Sequence, residues 1–534
     1  MTRKTLALLL ALMLLVLTAC ASPSATPSEA PQSTKSAAPA ETAATEAPAE
    51  TAAALSLYEI TYYMWSLKAS DQDEIVEKAI NELIAPKFNA TINFVMITDG
   101  DWDTKALVPL RAGEKIDIFY TPEWKGFMTN IANGSLLKLN DPSGPYGNLV
   151  EPYAQTIADE GAFITANLVD GDLYTLSTIK ELCVPGGLIW NQEYVEKYNI
   201  DIASVDTYAE MDPYLEMYKK DNPGNYPVLA TTGWSFISPF IQGFLNSVDP
   251  ISIRIGEKGA TNGEPELVWE SPEALEHVKW MGEWAGKGYV NPDAQLKTYS
   301  MTDSLNAGQF LVYYNQLKGG QVKAKEIMSS SGNPDLRLIE QQTSASVIVT
   351  THLGGSMYGI PITSADPQRA MMYLNEMYQN PELINLMAWG VEGVHYTLDD
   401  QGRAIQTPMN GWSDSHGGKW TIGNQFKQYV SNQEDVDKYQ QMQALTDEAW
   451  NHESLGFRFK QDDYASEYSA TYNVTDSMLR GVMSGVNAAG LQEMIDGYKA
   501  AGVNDVIFPA VKEAYAKWKE NQKAINPNYP ANPS

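Results

Sequence analysis

"LYEITYYMWSLKASDQDEIVEKAINELIAPKFNATINFVMI", residues 57–97, changes its apolar period twice, and those changes decide the fold. LYEITYYMW (57–65) is dense in aromatic and β-branched residues and reads as a strand. In the following stretch Ile75, Val76, Ala79, Ile80, Leu83 and Ile84 recur on one helical face, with Ser70 expected as the N-cap. TINFVMI (91–97) returns to a strand. Outward from there, DWDTKALVPLRAG predicts a helix closing near Gly113, IDIFYT (116–121) a third strand, and KGFMTNIANGSLLKLND a further helix. Strands alternating with helices imply a parallel sheet covered by helices, an α/β architecture.

The alternation resumes later in the chain. LCVPGGLIWNQ reads as a strand broken by proline and glycine, with an amphipathic helix EYVEKYNI after it, so a second α/β lobe is expected to begin here. Helical patterns recur at 272–287, 366–379, 381–389, 434–450, 475–484 and 488–523. HYTLDDQGRAIQ (395–406) predicts a hairpin, and the polar, glycine-rich 407–425 a loop.

The chain opens MTRKTLALLLALMLLVLTACASPS: two basic residues, an apolar run from Thr5 to Leu17, then Leu-Thr-Ala-Cys. That run is shorter than the roughly 20 residues a membrane-spanning helix needs, so residues 1–19 read as a secretory signal rather than an uncleaved anchor helix. Leu17–Cys20 resembles a bacterial lipobox, which implies lipidation of the Cys20 thiol. Residues 21–54 hold only Ala, Ser, Thr, Pro, Glu, Gln and Lys. They cannot bury a core against the roughly 1–2 kcal/mol per residue of backbone ordering entropy, so 20–54 is expected to be a lipidated cysteine with a disordered tether.

The formal charge is −29, and cleavage after Ala19 removes Arg3 and Lys4 to leave −31. This disfavours nucleic acid and polyanionic ligands at long range. Besides Cys20 only Cys183 remains, within the apolar ELCVPGGLIW, so a cysteine-based zinc site is excluded and a buried small hydrophobe is expected.

Catalytic signatures mostly fail. STIK (177–180) has the S-x-x-K spacing but no accompanying K-T-G or S-D-N. DGDWD (99–103) begins like a calcium loop, but Thr104 replaces the loop glycine and Leu110 the terminal Glu. Asp99 is then expected as a turn residue and Asp101 as a helix N-cap. Glu392 and His395 have the E-x-x-H spacing of di-metal helices, yet Gly390 and Gly393 interrupt the helix and no second such motif exists. Two readings stay open for this pair: a hydrogen bond that organises a loop, or polar contacts to a ligand. No metal or cofactor is expected.

Taken in order, LIWNQEYVEKYNID (188–201), GIPITSADPQRAMMYLNEMY (359–378), AGEKIDIFYTPEW, NLMAWGVEGVHY, WTIGNQF, SLGFRF and LRGVMSGV resemble the family 1 extracellular solute-binding proteins, in particular the large Gram-positive oligosaccharide-binding lipoproteins of ABC importers. The resemblance covers essentially all of 55–534. It implies a two-lobed type II periplasmic-binding-protein fold with a hinge and an interlobe ligand cleft. Lobe one would hold 55–180 with 360–430, and lobe two 185–350 with 440–534, the chain crossing near Ile179–Pro185 and Met357–Pro361.

The resemblance further implies a ligand site built from Trp65 and Ser66 at the end of the first strand and Tyr120, Glu123 and Trp124 in the loop after the third. Trp234, Tyr314 and Asn315 would come from lobe two, with Glu392, His395 and Tyr396 as further candidates. Each aromatic is also of a kind that fills a core, and Asn191 reads as structural. Sugar C–H faces pack on aromatic rings while carboxylates and amides meet the hydroxyls, so these residue types suit a carbohydrate. The implied protein is a monomeric, non-catalytic capture subunit on the extracellular face of the cytoplasmic membrane, with a permease and, indirectly, an ATPase as partners. A surface glycoside hydrolase or lyase, and the same fold carrying a peptide or another polar solute, are the competing readings.

Overall fold

Tyr58–Ser66 (β1), the helix Asp73–Phe88 and Ala90–Thr98 (β2) form the expected strand, helix, strand unit. The two strands run in parallel register from Tyr58 opposite Ala90 to Ser66 opposite Thr98. The helix buries Val76, Ile80, Ile84 and Phe88 against them, whereas Ile75 faces out. The helix also starts later than expected, since the Ser70 hydroxyl accepts from Gln72 N–H in the preceding turn at 3.0 Å and Gln72 occupies the cap position. The next predicted helix is split into Trp102–Lys105 and Leu107–Ala112. Pro109 has no N–H to continue the ladder, and Gly113 ends the second piece in the left-handed region at φ 79°.

The computed structural model describes residues 56–230, 246–247, 253–255, 263–409, 411–412 and 419–525. The chain divides into two units, Met1–Ala54 and Leu55–Ser534. The expected signal, Cys20, tether and Trp234 lie outside the described residues. Among the described residues no helix is long and apolar enough to cross a membrane.

The first sheet has the order β2, β1, Ile118–Tyr120 (β3), Met357–Gly359, Thr175–Ser177. Four of its five strands run in one direction, and only Met357–Gly359 is reversed. Met357–Gly359 returns from far along the sequence and pairs antiparallel with both neighbours, Tyr358 lying opposite Tyr120 and Leu176. The chain leaves this sheet at Ser177 and enters a second one at Gly186–Asn191, which pairs with Val312–Gln316 and Leu338–Gln342. A Cβ at Gly186 would lie 1.9 Å from Tyr314 Oη, so a side chain there would displace that ring. Asn191 caps the following helix by accepting from Glu193 N–H, and Cys183 is buried.

Charged groups are buried where the chain passes between the sheets. Lys180 Nζ lies 2.7 Å from His352 Nε2, and Lys318 and Lys438 reach Glu326 at 3.1 and 3.0 Å. Desolvation pushes His352 down to about 3, with Lys180 reinforcing the shift, and pushes Lys180 down to about 8.

Residues 457–518 pack with Ile253, Ile255 and 267–278 around Trp269, Phe457, Leu479, Met494 and Tyr515. The predicted helix 488–523 is interrupted: Leu491–Ala500 ends before Gly502 at φ 90°, a π-helical turn spans Val503–Ile507, and Phe508–Ile525 follows. The helix expected at 475–484 starts earlier, at Ala465, and that expected at 434–450 is limited to Lys438–Asp447.

Candidate functional site

Two strand ends and one loop bring the predicted aromatics together. Trp65, near the end of β1, stacks on Tyr120 at the end of β3, with ring centroids 6.1 Å apart and planes 20° apart. Tyr120 in turn packs edge-on against Tyr358 and Trp102. Beyond β3, Pro122 leads into a single helical turn, Glu123–Lys125, which Gly126 ends at φ 85°. That turn sets Trp124 edge-on to Trp65, with centroids 5.2 Å apart and planes at 86°. Trp124 Nε1–H donates to Gly355 O at 2.7 Å and Glu123 N–H to Gly354 O at 2.9 Å, so the turn is tied at both ends of its reach. Trp420, from a distant loop, packs on Trp65 at 6.2 Å.

Exposure separates these rings by role. Trp124 is 46% exposed while Trp65 is 6% exposed, and Tyr120 and Ser66 are fully buried. Trp124 thus presents its ring to solvent, Trp65 packs beside it, and Ser66 and Tyr120 lie buried beneath.

The carboxylates around the platform are engaged. Asp99 Oδ1 accepts from Trp65 Nε1–H at 2.8 Å and pairs with Lys125 Nζ at 2.5 Å. Burial alone would raise the Asp99 carboxyl, but the bonds from Lys125 and Trp65 outweigh it and hold the group below the usual carboxylate range. Asp99 is thus more than a turn residue. Asp101 occupies a cap position but makes no cap bond, its carboxylate going to Lys105 and Thr98 instead. Lys125 Nζ also lies 5.1 Å from the Trp124 ring centroid, a cation–π contact. The Glu123 carboxylate pairs with the buried Arg458, whose Nε and Nη2 donate to Ala166 O at 2.9 and 2.6 Å.

The remaining candidates stand elsewhere. Tyr314 and Asn315 belong to the second sheet, opposite Leu188 and Gly187, and Asn315 Nδ2 donates to Tyr313 Oη at 2.9 Å. The helix Pro381–Trp389 ends at Gly390, so Glu392 and His395 do not share a helical face. Val391 N–H donates to His395 Nδ1 at 2.8 Å, and the His395 N–H returns to Val391 O at 2.8 Å. Burial lowers the imidazole pKa, so the ring is a neutral brace for this turn. Glu392 is exposed, and Tyr396 is buried between Trp389 and Tyr429. The structure thus favours the loop-organising reading for His395. Among the described residues no group of three or more His, Cys, Asp or Glu is placed to hold a metal ion.

Lys125, Trp420 and Arg458 were not singled out as site residues by sequence, and Asp99 was expected only as a turn residue. Lys125 adjoins Trp124, and Asp99 directly follows β2, whose last residue pairs with Ser66 next to Trp65, so both had a local signal. Trp420 and Arg458 reach the site only through tertiary packing.

No protein-family profile matches the chain. A carbohydrate ABC transporter substrate-binding protein of Streptococcus pneumoniae serotype 4 is 23% identical over 472 residues, 87% of this chain and 91% of that protein. The solved N-glycan transport solute-binding protein of S. pneumoniae superposes with a TM-score of 0.71 at 21% identity, over 87% of this chain and all of that one. A Bifidobacterium longum infantis solute-binding protein described as HMO-binding superposes with a TM-score of 0.59 at 13% identity, over 86% and 98% of the two chains. The chain therefore has the periplasmic solute-binding fold, and over most of its length it is similar in sequence to a substrate-binding protein of a carbohydrate ABC transporter.

Proposed function

We propose that this chain is the substrate-binding subunit of a bacterial ABC importer, which captures an extracellular oligosaccharide and delivers it to a permease. The observation that carries this reading is the half-exposed Trp124 ring, fixed on a buried aromatic base and flanked by carboxylates. A pyranose ring can lay its C–H face on such an indole, while its hydroxyls meet polar groups at the rim. The pneumococcal glycan-binding neighbour, solved with Man1GlcNAc and with Man5GlcNAc, supports a carbohydrate as the cargo.

In this reading residues 55–180 with 360–430 form one lobe and 185–350 with 440–534 the other. Tyr314 and Asn315 belong to the lobe across a cleft from the platform, and closure follows from the ligand's extra affinity for the closed state. Cys20 carries the lipid anchor, and the tether holds a monomeric body clear of the membrane. Capture is favoured over hydrolysis because the sequence relative and the solved neighbours are described as substrate- and solute-binding proteins. The test is to incubate the purified protein with a mixed glycan pool, re-isolate it, and identify what it retains by mass spectrometry. Intact oligosaccharide is expected. Retention of peptide instead of sugar would refute the carbohydrate assignment.

A further inference from the structure

We propose that Asp99 is a specificity determinant that selects uncharged over anionic glycan units at the Trp124 platform; this rests on the carbohydrate-capture reading above. Two geometric facts carry the inference. Asp99 Oδ1 takes both the Trp65 Nε1–H and the Lys125 ammonium, the cation that lies over the Trp124 ring. The exposures within that ion pair are unequal: the Lys125 side chain is 14% exposed and Asp99 53%. The positive charge is folded back against the indole while the negative one is turned to solvent.

A glycan approaching Trp124 therefore meets a carboxylate at the edge of the platform and a lysine whose charge is already matched. A uronate or sialic acid unit would bring a second carboxylate beside Asp99, and like charges held close together repel. A neutral hexose or N-acetylhexosamine meets no such repulsion, and its hydroxyls can donate to the exposed carboxylate. Arg458 adds no unpaired cation, since it is itself matched by Glu123. Without Asp99, Lys125 would present an uncompensated ammonium next to an aromatic face, which suits an acidic sugar.

Two probe series separate these outcomes in calorimetric titration: neutral manno-, xylo- and N-acetylglucosamine oligomers, and mannuronate and galacturonate oligomers of matched length. The wild type is expected to bind a member of the neutral series and to bind the acidic series at least about tenfold more weakly. Asp99→Asn, which keeps an acceptor for Trp65 Nε1–H, should raise the acidic-to-neutral affinity ratio about tenfold in a salt-sensitive manner, and Asp99→Glu should restore it. Lys125→Met, which bares the carboxylate, should move the ratio the other way, so the proposal stands or falls even if Asp99→Asn folds poorly. Preferential binding of the acidic series by wild type, or an Asp99→Asn or Lys125→Met that leaves the ratio unchanged, overturns the inference but leaves capture standing. Binding of neither series overturns both.

Discussion

Trp124 stands edge-on to Trp65, with ring centroids 5.2 Å apart, so one indole is presented and the other holds it in place. Losing the presented ring should cost binding rather than folding. Trp124→Ala is expected to weaken oligosaccharide binding about tenfold or more, at about 1.4 kcal/mol per decade, with little change in thermal stability. Trp65→Ala should instead destabilise the fold by about 3–5 kcal/mol, because it removes a ring packed among Tyr120, Trp124 and Trp420. Calorimetric titration and thermal unfolding of both variants check the division.

His395 braces the turn after Pro381–Trp389 through paired hydrogen bonds with Val391. His395→Ala should lower stability by about 1–3 kcal/mol, the cost of leaving the half-buried Val391 N–H without its acceptor. Glu392→Gln, at an exposed position, should leave stability nearly unchanged. Neither substitution should alter metal content by elemental analysis. Stoichiometric metal in wild type, lost in either variant, would contradict the bracing role.

The strand, helix, strand opening was legible because its apolar period changes sharply between Trp65 and Ile97 and local pattern suffices there. The platform was half legible. Trp65 and Trp124 lie in the strand end and loop that the resemblance pointed to, but nothing near them in sequence announces Arg458 or Trp420. The antiparallel return of Met357–Gly359 was hidden for the same reason: its partners Tyr120 and Leu176 are far away in the chain. Reading 488–523 as one helix failed because the apolar face persists across Gly502, where the backbone turns to positive φ.

Acid should weaken the fold through its buried histidines. His277 sits between Tyr208 Oη at 2.9 Å and Met483 O at 3.1 Å, and desolvation pushes it down to about 4 despite the Met483 bond. His277 and His352 are neutral in the fold but protonate below about 6.5 when unfolded, so the unfolded state binds more protons. Stability conferred by the neutral rings is full above pH 6.5 and falls as pH drops toward 4, by about 1.4 kcal/mol per pH unit for each group. Urea unfolding at pH 7.0 and 5.0 should show the loss, and His277→Gln should have a shallower pH slope. An unchanged slope would count against His277 as a source.

Cys20 lies in a lipobox-like Leu-Thr-Ala-Cys. Cys20→Ala is expected to release the protein into the medium or leave its signal uncleaved, as read by fractionation and mass spectrometry. A variant that remained lipidated and normally processed would contradict the anchor.

The most direct test of the account is titration of the wild-type protein with an oligosaccharide panel, followed by chromatography of the recovered sugar. Saturable one-to-one binding of at least one neutral oligosaccharide, recovered at its original length, is the predicted result. Absence of binding across the panel, or recovery of shortened products, would contradict oligosaccharide capture as the function.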